Sequence, residues 1–312
     1  MDLNGKIVFD DGHEEIIPYG IETFDADYTE REDVIEVKFP NSVKCIECLT
    51  FEDCKNLVSI EFPSNLIRIG SAAFMGCESL TSISLPLGLR EIAEEAFAYC
   101  SKLTTVTIPD SVSEIGFSAF MQCDSLASFT FPKNIMEISQ ELLTNCVSLS
   151  NVVIPNSVVS IGPLAFMGCD NLKINVSEGN KQFRVLNNCL IENDTIVWGN
   201  KYSKIICDNK IKRIGMYAFS AIKGITDITI PSNIVYIGEG AFGGCYDLEH
   251  ITLPSSVSFI GADAFRMCDK LQSITYEGKE KEWKLIEKTN LGKKLQVNVK
   301  GLFGNKTIFV NS

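Results

Sequence analysis

A 23-residue period runs through most of this chain and limits how it can fold. Six cysteines stand 23 residues apart, and the same phase returns later with an isoleucine and two more cysteines. These positions are Cys54, Cys77, Cys100, Cys123, Cys146, Cys169, Ile222, Cys245 and Cys268. A fixed period of roughly 20–50 residues indicates a stack of similar coils rather than a single closed globular core.

Apolar residues recur with the same spacing, and we call each set of equivalent positions a column. Three residues before each cysteine position stand Phe51, Phe74, Phe97, Phe120, Leu143, Phe166, Phe219, Phe242 and Phe265. Three residues after it stand Leu57, Leu80, Leu103, Leu126, Leu149, Leu172, Ile225, Leu248 and Leu271. One coil buries too little apolar surface to offset the entropy of ordering its backbone. We therefore expect these side chains to fill a core that neighbouring coils share.

Each coil has a recognisable local pattern. Apolar and polar residues alternate before a proline, as in residues 103–109, which predicts a short half-buried strand that the proline ends. Ala, Phe and Cys then recur three or four residues apart, as in Ala119, Phe120 and Cys123, which predicts a short helical or 3-10 return. An Ile-Gly pair begins many of these returns. The pattern predicts about ten coils.

Interruptions of the period divide the chain. We expect an N-terminal cap over residues 1–33 and a first repeat block over 34–172. An irregular, hairpin-like insertion that continues the stack is expected over 173–212. A second repeat block follows over 213–277, and a C-terminal cap over 278–312. Caps are expected because the terminal coils of a stack otherwise expose their core.

Charge and hydropathy exclude several classes of partner. The formal net charge is −12 at pH 7, which disfavours nucleic acid because its phosphates require a basic surface. No apolar run reaches the roughly 20 residues that cross a bilayer, so membrane insertion is not expected. The segment from Met1 to Asp11 has neither the basic nor the apolar region of a signal peptide.

No motif predicts a metal, a cofactor or an enzymatic reaction. We interpret the cysteine column as buried core, because equivalent side chains of stacked coils point the same way and free cysteine is among the most buried residue types. Cys45 and Cys48 form one C-x-x-C outside this column, which leaves a redox or zinc pair open, although one such motif is weak support. His13 and His250 stand at no metal-ligand or catalytic spacing.

Residues between the core positions of the predicted strands point outward and are mostly small, uncharged and rich in hydroxyl groups. Such residues are tolerated on any strand face, or they form a shallow surface for an extended peptide or a glycan. The partner-binding residues that we expect on this strand-lined, concave face are Glu36, Lys38, Glu61, Thr107, Thr130, Asn151, Asp227 and His250. The expected partner is a protein or a glycan.

The columns resemble the BspA-type leucine-rich repeats of bacterial surface proteins and some protist proteins. Residues 69–86 and 237–254 carry the clearest likeness, within a resemblance that covers residues 34–276. The resemblance implies a leucine-rich-repeat solenoid, an α/β right-handed superhelix with one short parallel strand per coil. It also implies a binding module for adhesion or host interaction, outside the cell or on its surface. Because no signal peptide is present in this chain, a cytoplasmic scaffold or sensor without catalytic activity stays the alternative.

The column assignment predicts how two substitutions affect stability. Phe120→Ala should lower the free energy of unfolding by about 3–5 kcal/mol, as expected for removal of a buried aromatic ring. Thr107→Ala, on the outward face of a strand, should leave it nearly unchanged. Denaturant unfolding of both variants checks this, and a loss below about 1 kcal/mol for Phe120→Ala would contradict the assignment.

Overall fold

The computed structural model of the protein describes residues 4–288, 291, 295–301 and 304–310. The chain divides into two compact units, Met1–Lys181 and Gln182–Ser312. Each unit is a β-solenoid whose coils stack through parallel strands. The solenoid of stacked coils that the 23-residue period predicts is therefore confirmed.

Short strands make up the regular structure of the first unit. They are β1 (Gly5–Phe9), β2 (Glu14–Ile17), β3 (Thr23–Phe24), β4 (Val34–Lys38), β5 (Cys45–Ile46), β6 (Ser59–Glu61), β7 (Arg68–Ile69), β8 (Glu91–Ile92), β9 (Thr105–Thr107), β10 (Glu114–Ile115), β11 (Ser128–Thr130), β12 (Glu137–Ile138), β13 (Asn151–Ile154), β14 (Ser160–Ile161) and β15 (Lys173–Val176).

The predicted strands form a parallel ladder, which we call the first ladder. In this unit it consists of β4 with β6 and, further along, of β9, β11, β13 and β15. The partners stand 23 positions apart in most pairs, as in Thr107 and Thr130, and 22 apart between β13 and β15, so each coil lies directly on the previous one. At the start of the unit, β1 pairs antiparallel with both β2 and β4 and covers the edge of the ladder.

A second parallel ladder also runs along the coils, and the sequence pattern did not predict it. In this unit it consists of β3, β5, β7, β8 and β10, followed by β12 with β14. Its strands are only two residues long, and most of them end in an isoleucine, which in several coils belongs to the Ile-Gly pair, for example Ile69 and Ile115. The expectation of one strand per coil is thus wrong, because two residues are too few to show an alternating pattern.

The return segments are turns, and the expected helical or 3-10 geometry is not found in them. In each return two residues four positions apart have positive φ, for example Ser118 (φ 53°) and Gln122 (φ 55°). Left-handed residues interrupt a helical succession of dihedral angles. The backbone groups bond between coils instead: the N–H of Phe97 donates to the carbonyl of Ala119 at 2.9 Å. Among the described residues, the only helix lies outside the repeats, at Glu280–Leu285.

The aromatic column forms a stacked core, as the period predicted. The rings of Phe74, Phe97 and Phe120 are fully buried, and successive centroids lie 5.5 and 5.4 Å apart with ring planes within 11° of parallel. Phe219, Phe242 and Phe265 repeat this arrangement in the second unit. Offset stacking of this kind stabilises each pair by about 0.5–1.5 kcal/mol beyond the burial of apolar area.

The second unit begins with antiparallel strands and continues with two parallel ladders. Its elements are β16 (Phe183–Leu186), β17 (Cys189–Glu192), β18 (Thr195–Trp198), β19 (Arg213–Ile214), β20 (Asp227–Thr229), β21 (Tyr236–Ile237), β22 (His250–Leu253), β23 (Phe259–Ile260), β24 (Ser273–Lys279), α1 (Glu280–Leu285), β25 (Glu287–Lys288), β26 (Leu295–Gly301) and β27 (Gly304–Val310). One sheet has the order β16-β17-β18-β19-β21-β23-β25, and the other has the order β20-β22-β24-β26-β27. Trp283 of α1 is buried against Tyr276.

The glycine of the Ile-Gly pair lies in close contact with the backbone of the previous coil. A Cβ atom at Gly116 would lie 2.3 Å from the backbone nitrogen of Glu94, and a Cβ atom at Gly162 would lie 2.4 Å from that of Gln140. Ser139 occupies this column where the second ladder is interrupted between β10 and β12, and its hydroxyl donates to the carbonyl of Ile115. Not every coil has this glycine, since Ala93 occupies the equivalent position after β8, where the ladder continues to β10.

This contact predicts different outcomes for two glycine substitutions in the first unit. Gly116→Ala should lower the free energy of unfolding by about 1–3 kcal/mol, because the backbone of the previous coil must move. Gly88→Ala is the matched control, since its Cβ atom would lie 3.6 Å from the nearest atom, and it should be neutral or stabilising by up to about 1 kcal/mol. Equal effects of the two substitutions in chemical denaturation would contradict the close approach.

Candidate binding surface

The cysteine column is part of the buried core, as the sequence predicted. The thiol of Cys100 donates to the carbonyl of Phe74 at 3.3 Å, and that of Cys123 donates to the carbonyl of Phe97 at 3.3 Å. Burial raises the pKa of Cys100 from 9.0 to about 12, which keeps its thiol protonated at neutral pH. Because the reactive form of cysteine is the thiolate, these side chains fill space and satisfy backbone carbonyls.

Cys45 and Cys48 lie away from this column, at the start of the second ladder. Cys45 is half-buried on β5, and Cys48 is exposed beside the guanidinium of Arg68. That guanidinium donates to Glu91 at 2.9 Å, and this hydrogen bond is the largest of the causes that raise the pKa of Arg68. Within the described ranges, no three His, Cys, Asp or Glu side chains come together as metal ligands.

The two histidines lie in different units. In the first unit, the ring of His13 stacks on Phe9, with centroids 5.5 Å apart. In the second unit, His250 is exposed on β22 and stands in register with Asp227 of β20 and with Ser273 of β24.

The structure places the expected partner-binding residues on the outward face of the first ladder, in two groups. Glu36, Lys38, Glu61, Thr107, Thr130 and Asn151 belong to the first unit, and Asp227 and His250 belong to the second. Thr107 and Thr130 are paired neighbours, as are Lys38 and Glu61. The ammonium of Lys38 forms an ion pair with the Glu61 carboxylate at 2.9 Å.

An uncharged surface covers β9, β11 and β13, and we call it the neutral patch. It consists of Thr105, Thr107, Ser128, Thr130, Asn151 and Val153, all of which are exposed. Within the described part of the chain, the four hydroxyl groups of this patch have no hydrogen-bond partner, whereas the side-chain carbonyl of Asn151 accepts from Asn175 at 2.7 Å. The patch therefore presents hydroxyl groups at the spacing of the ladder, about 4.8 Å.

A groove opens within the neutral patch between β11 and β13. These strands pair only at Ser128 and Asn151, whereas β9 and β11 pair over three residues. The groove has a volume of about 540 Å³ and is lined by residues of both strands together with Lys133 and Glu178. The sequence reasoning missed Lys133 and Glu178, because they lie in turns beyond the strand columns.

Val153 and Lys133 supply the groove with an apolar and a charged side chain. Val153 is 46% exposed. It is an apolar residue in a column that otherwise carries mainly Thr and Ser, and this exception is the one feature of the sequence that marks the groove. The backbone N–H and the ammonium of Lys133 both donate to Asp110 at 2.9 Å. These contacts, the backbone hydrogen bond first, lower the pKa of the Asp110 carboxyl. The groove thus combines an apolar surface, hydroxyl groups and an anchored cation.

Stacked coils joined by parallel ladders, with an aromatic and cysteine core at a 23-residue period, define a leucine-rich repeat protein. The BspA type leucine-rich repeat region, in six copies, matches residues 24–146, 90–196 and 191–293. The chain therefore belongs to the BspA-type leucine-rich repeat family. Within the described part of the chain, no helix has the length and apolar character of a membrane-spanning segment.

Solved structures of bacterial repeat proteins are similar to this chain. A leucine rich cell surface protein from Faecalibacterium prausnitzii A2-165 is 24% identical, with a TM-score of 0.65, over 93% of this chain and 98% of that one. A leucine-rich repeat protein from Bacteroides ovatus ATCC 8483 is 26% identical, with a TM-score of 0.56, over 86% of this chain and 61% of that one. One from Eubacterium ventriosum ATCC 27560 is 22% identical, with a TM-score of 0.61, over 89% and 71%. The chain matches no curated protein.

The raised thiol pKa values predict instability at alkaline pH. Below pH 9, Cys100 is protonated in the folded and unfolded states, so its titration does not affect stability. Between pH 9 and about 12 only the unfolded chain releases this proton, and the free energy of unfolding falls as pH rises. Cys100→Ala should reduce the slope of the free energy of unfolding against pH by up to about 1.4 kcal/mol per pH unit.

Chemical denaturation across this pH range measures the slope. Leu103→Ala is the control, because it removes buried apolar atoms from the next column without removing an ionisable group. Parallel pH dependences for Cys100→Ala and the wild type would show that the Cys100 thiol has the same pKa in both states.

Proposed function

We propose that this chain is a binding module that recognises a protein or glycan through the neutral patch of the first unit, in adhesion or host interaction. The observation that carries the proposal is the set of hydroxyl groups on Thr105, Thr107, Ser128 and Thr130, which are exposed and without partners among the described residues. Such groups offer donors and acceptors to a ligand without first breaking an internal hydrogen bond.

The surroundings of the patch favour a ligand that lies across the strands. Glu61 and Lys38 are paired with each other on the earlier strands, so their charges are largely compensated there. The groove at β11 and β13 adds an apolar contact at Val153 and two side chains of opposite charge, Lys133, which is paired with Asp110, and Glu178, which suits a ligand with a small apolar group and no net charge. Glu36 and Asn151, on the same face of the first unit, are further contact residues in this proposal, whereas Asp227 and His250 belong to the ladder face of the second unit.

We place this binding at the cell surface. The similar protein from Faecalibacterium prausnitzii is described as a cell surface protein, and the match covers 93% of this chain and 98% of that one. A surface location agrees with an exposed ladder face that is available to large ligands.

Substitution of the patch by arginine tests the proposal. Thr107→Arg combined with Thr130→Arg fills the outward face of two adjacent strands, while the buried side of the ladder is unchanged. Binding should be compared on a glycan array and on an array of secreted and cell-surface proteins. We expect the double variant to lose at least tenfold in apparent affinity for the ligands of the wild type.

Ser160→Arg is the matched control, because Ser160 is exposed on β14 of the second ladder. This variant should bind like the wild type, and thermal unfolding should show that all variants are folded. The proposal fails if no ligand is found on either array, or if the double variant and the control bind equally well.

A further inference from the structure

The first ladder of the second unit has an unpaired edge at β20. This strand pairs with β22 on one side, with Asp227 opposite His250 and Thr229 opposite Thr252. It stands at the end of its sheet, and no strand among the described residues pairs with its other side. An edge of this kind presents backbone donors and acceptors to another extended chain.

The direction of these backbone groups follows from the bonds that β20 makes. The carbonyl of Thr226 accepts from the N–H of His250 at 3.0 Å, and the N–H of Ile230 donates to Thr252 at 2.9 Å. Because backbone groups alternate in direction along a strand, Thr226, Ile228 and Ile230 face β22. The N–H and C=O groups of Asp227 and Thr229 therefore point to the open side, where the described residues supply no partner.

The segment that the period places beside β20 hydrogen-bonds elsewhere. Residues 203–206 stand 23 positions before residues 226–229, yet they do not form a strand. The N–H of Lys204 donates to the carbonyl of Asn187 at 3.1 Å, and the hydroxyl of Ser203 donates to Asn188 at 2.6 Å. These contacts bind the segment to the turn between β16 and β17 and leave β20 without a neighbour.

A groove of about 350 Å³ lies beside β20, with Ile205, Phe219 and Phe242 among its lining residues. Core columns are partly exposed there. Ile228 is half-buried, whereas its ladder equivalent Ile251 is 1% exposed, and Ile225 is likewise half-buried. An added strand would complete the burial of both isoleucines.

We propose that the edge of β20 binds an extended peptide segment of a partner protein, which adds a strand to the sheet of the second unit. Another extended backbone matches the alternating N–H and C=O groups of Asp227 and Thr229. Apolar side chains at every second position of the peptide cover Ile225 and Ile228. The groove contains one cation, Lys201, and one anion, Asp227, so it selects a segment without net charge.

This site is independent of the neutral patch. It lies in the other unit, and it uses backbone groups and an apolar groove rather than side-chain hydroxyls. The double variant Thr107→Arg and Thr130→Arg should therefore leave peptide binding at β20 unchanged, which separates a failure of this inference from a failure of the proposed function.

A pair of substitutions at one position tests the inference. Thr229→Pro removes the N–H that points into the groove, at a strand edge where proline is tolerated. Thr229→Val keeps this N–H and removes only the hydroxyl. The probe is a phage-displayed library of nine-residue peptides selected on the wild-type protein. We expect selected peptides with alternating apolar residues, which bind Thr229→Val normally and Thr229→Pro at least tenfold more weakly.

Amide hydrogen exchange provides a second measurement that does not depend on a variant. The N–H groups of Asp227 and Thr229 should exchange rapidly in the free protein and should be protected when a selected peptide is bound. The inference is overturned if no peptide is selected, if Thr229→Pro and Thr229→Val bind the peptides equally, or if these two amides stay unprotected in the complex.

Discussion

The stacking of residues 23 positions apart, one directly above the other in successive coils, is the constraint on which the rest of the structure depends. Phenylalanines of successive coils stack on one another in most of the core, and each thiol of the 23-residue cysteine column donates to a carbonyl 26 positions earlier in the chain. A single coil has neither contact, so its order depends on its neighbours. The repeated ladder then places every outward residue above its equivalent, and a surface as regular as the neutral patch follows from the core.

The columns of the core could be predicted from the sequence because each depends on one residue type at one spacing. Phe120, Cys123 and Leu126 are all buried as predicted. The second ladder could not be predicted, because its two-residue strands carry no alternation. The turns in the returns were missed because positive φ at Ser118 and Gln122 leaves little trace in residue type. Outward strand positions were predictable, but the groove depends on where the ladder opens, which is set by packing.

Both grooves arise where a regular ladder loses hydrogen bonds. Between β11 and β13 the strands diverge after one pair, and beside β20 the neighbouring segment bonds to another turn. A uniform ladder offers side chains alone, whereas an opened ladder also offers backbone groups and part of the apolar core. Departures from the repeat therefore concentrate binding capacity at a few positions, while the regular coils hold those positions in place.

The most direct measurement of the central claim is the coupling free energy between aromatic residues of the core. Double-mutant cycles with leucine should be measured by denaturant unfolding for Phe97 with Phe120, which are adjacent in the stack, and for Phe74 with Phe120, which are two coils apart. The stacked core predicts a coupling of about 0.5–1.5 kcal/mol for the adjacent pair. It predicts additivity within about 0.3–0.5 kcal/mol for the separated pair. Equal coupling in the two pairs, or none in the adjacent pair, would contradict the stacking of successive coils.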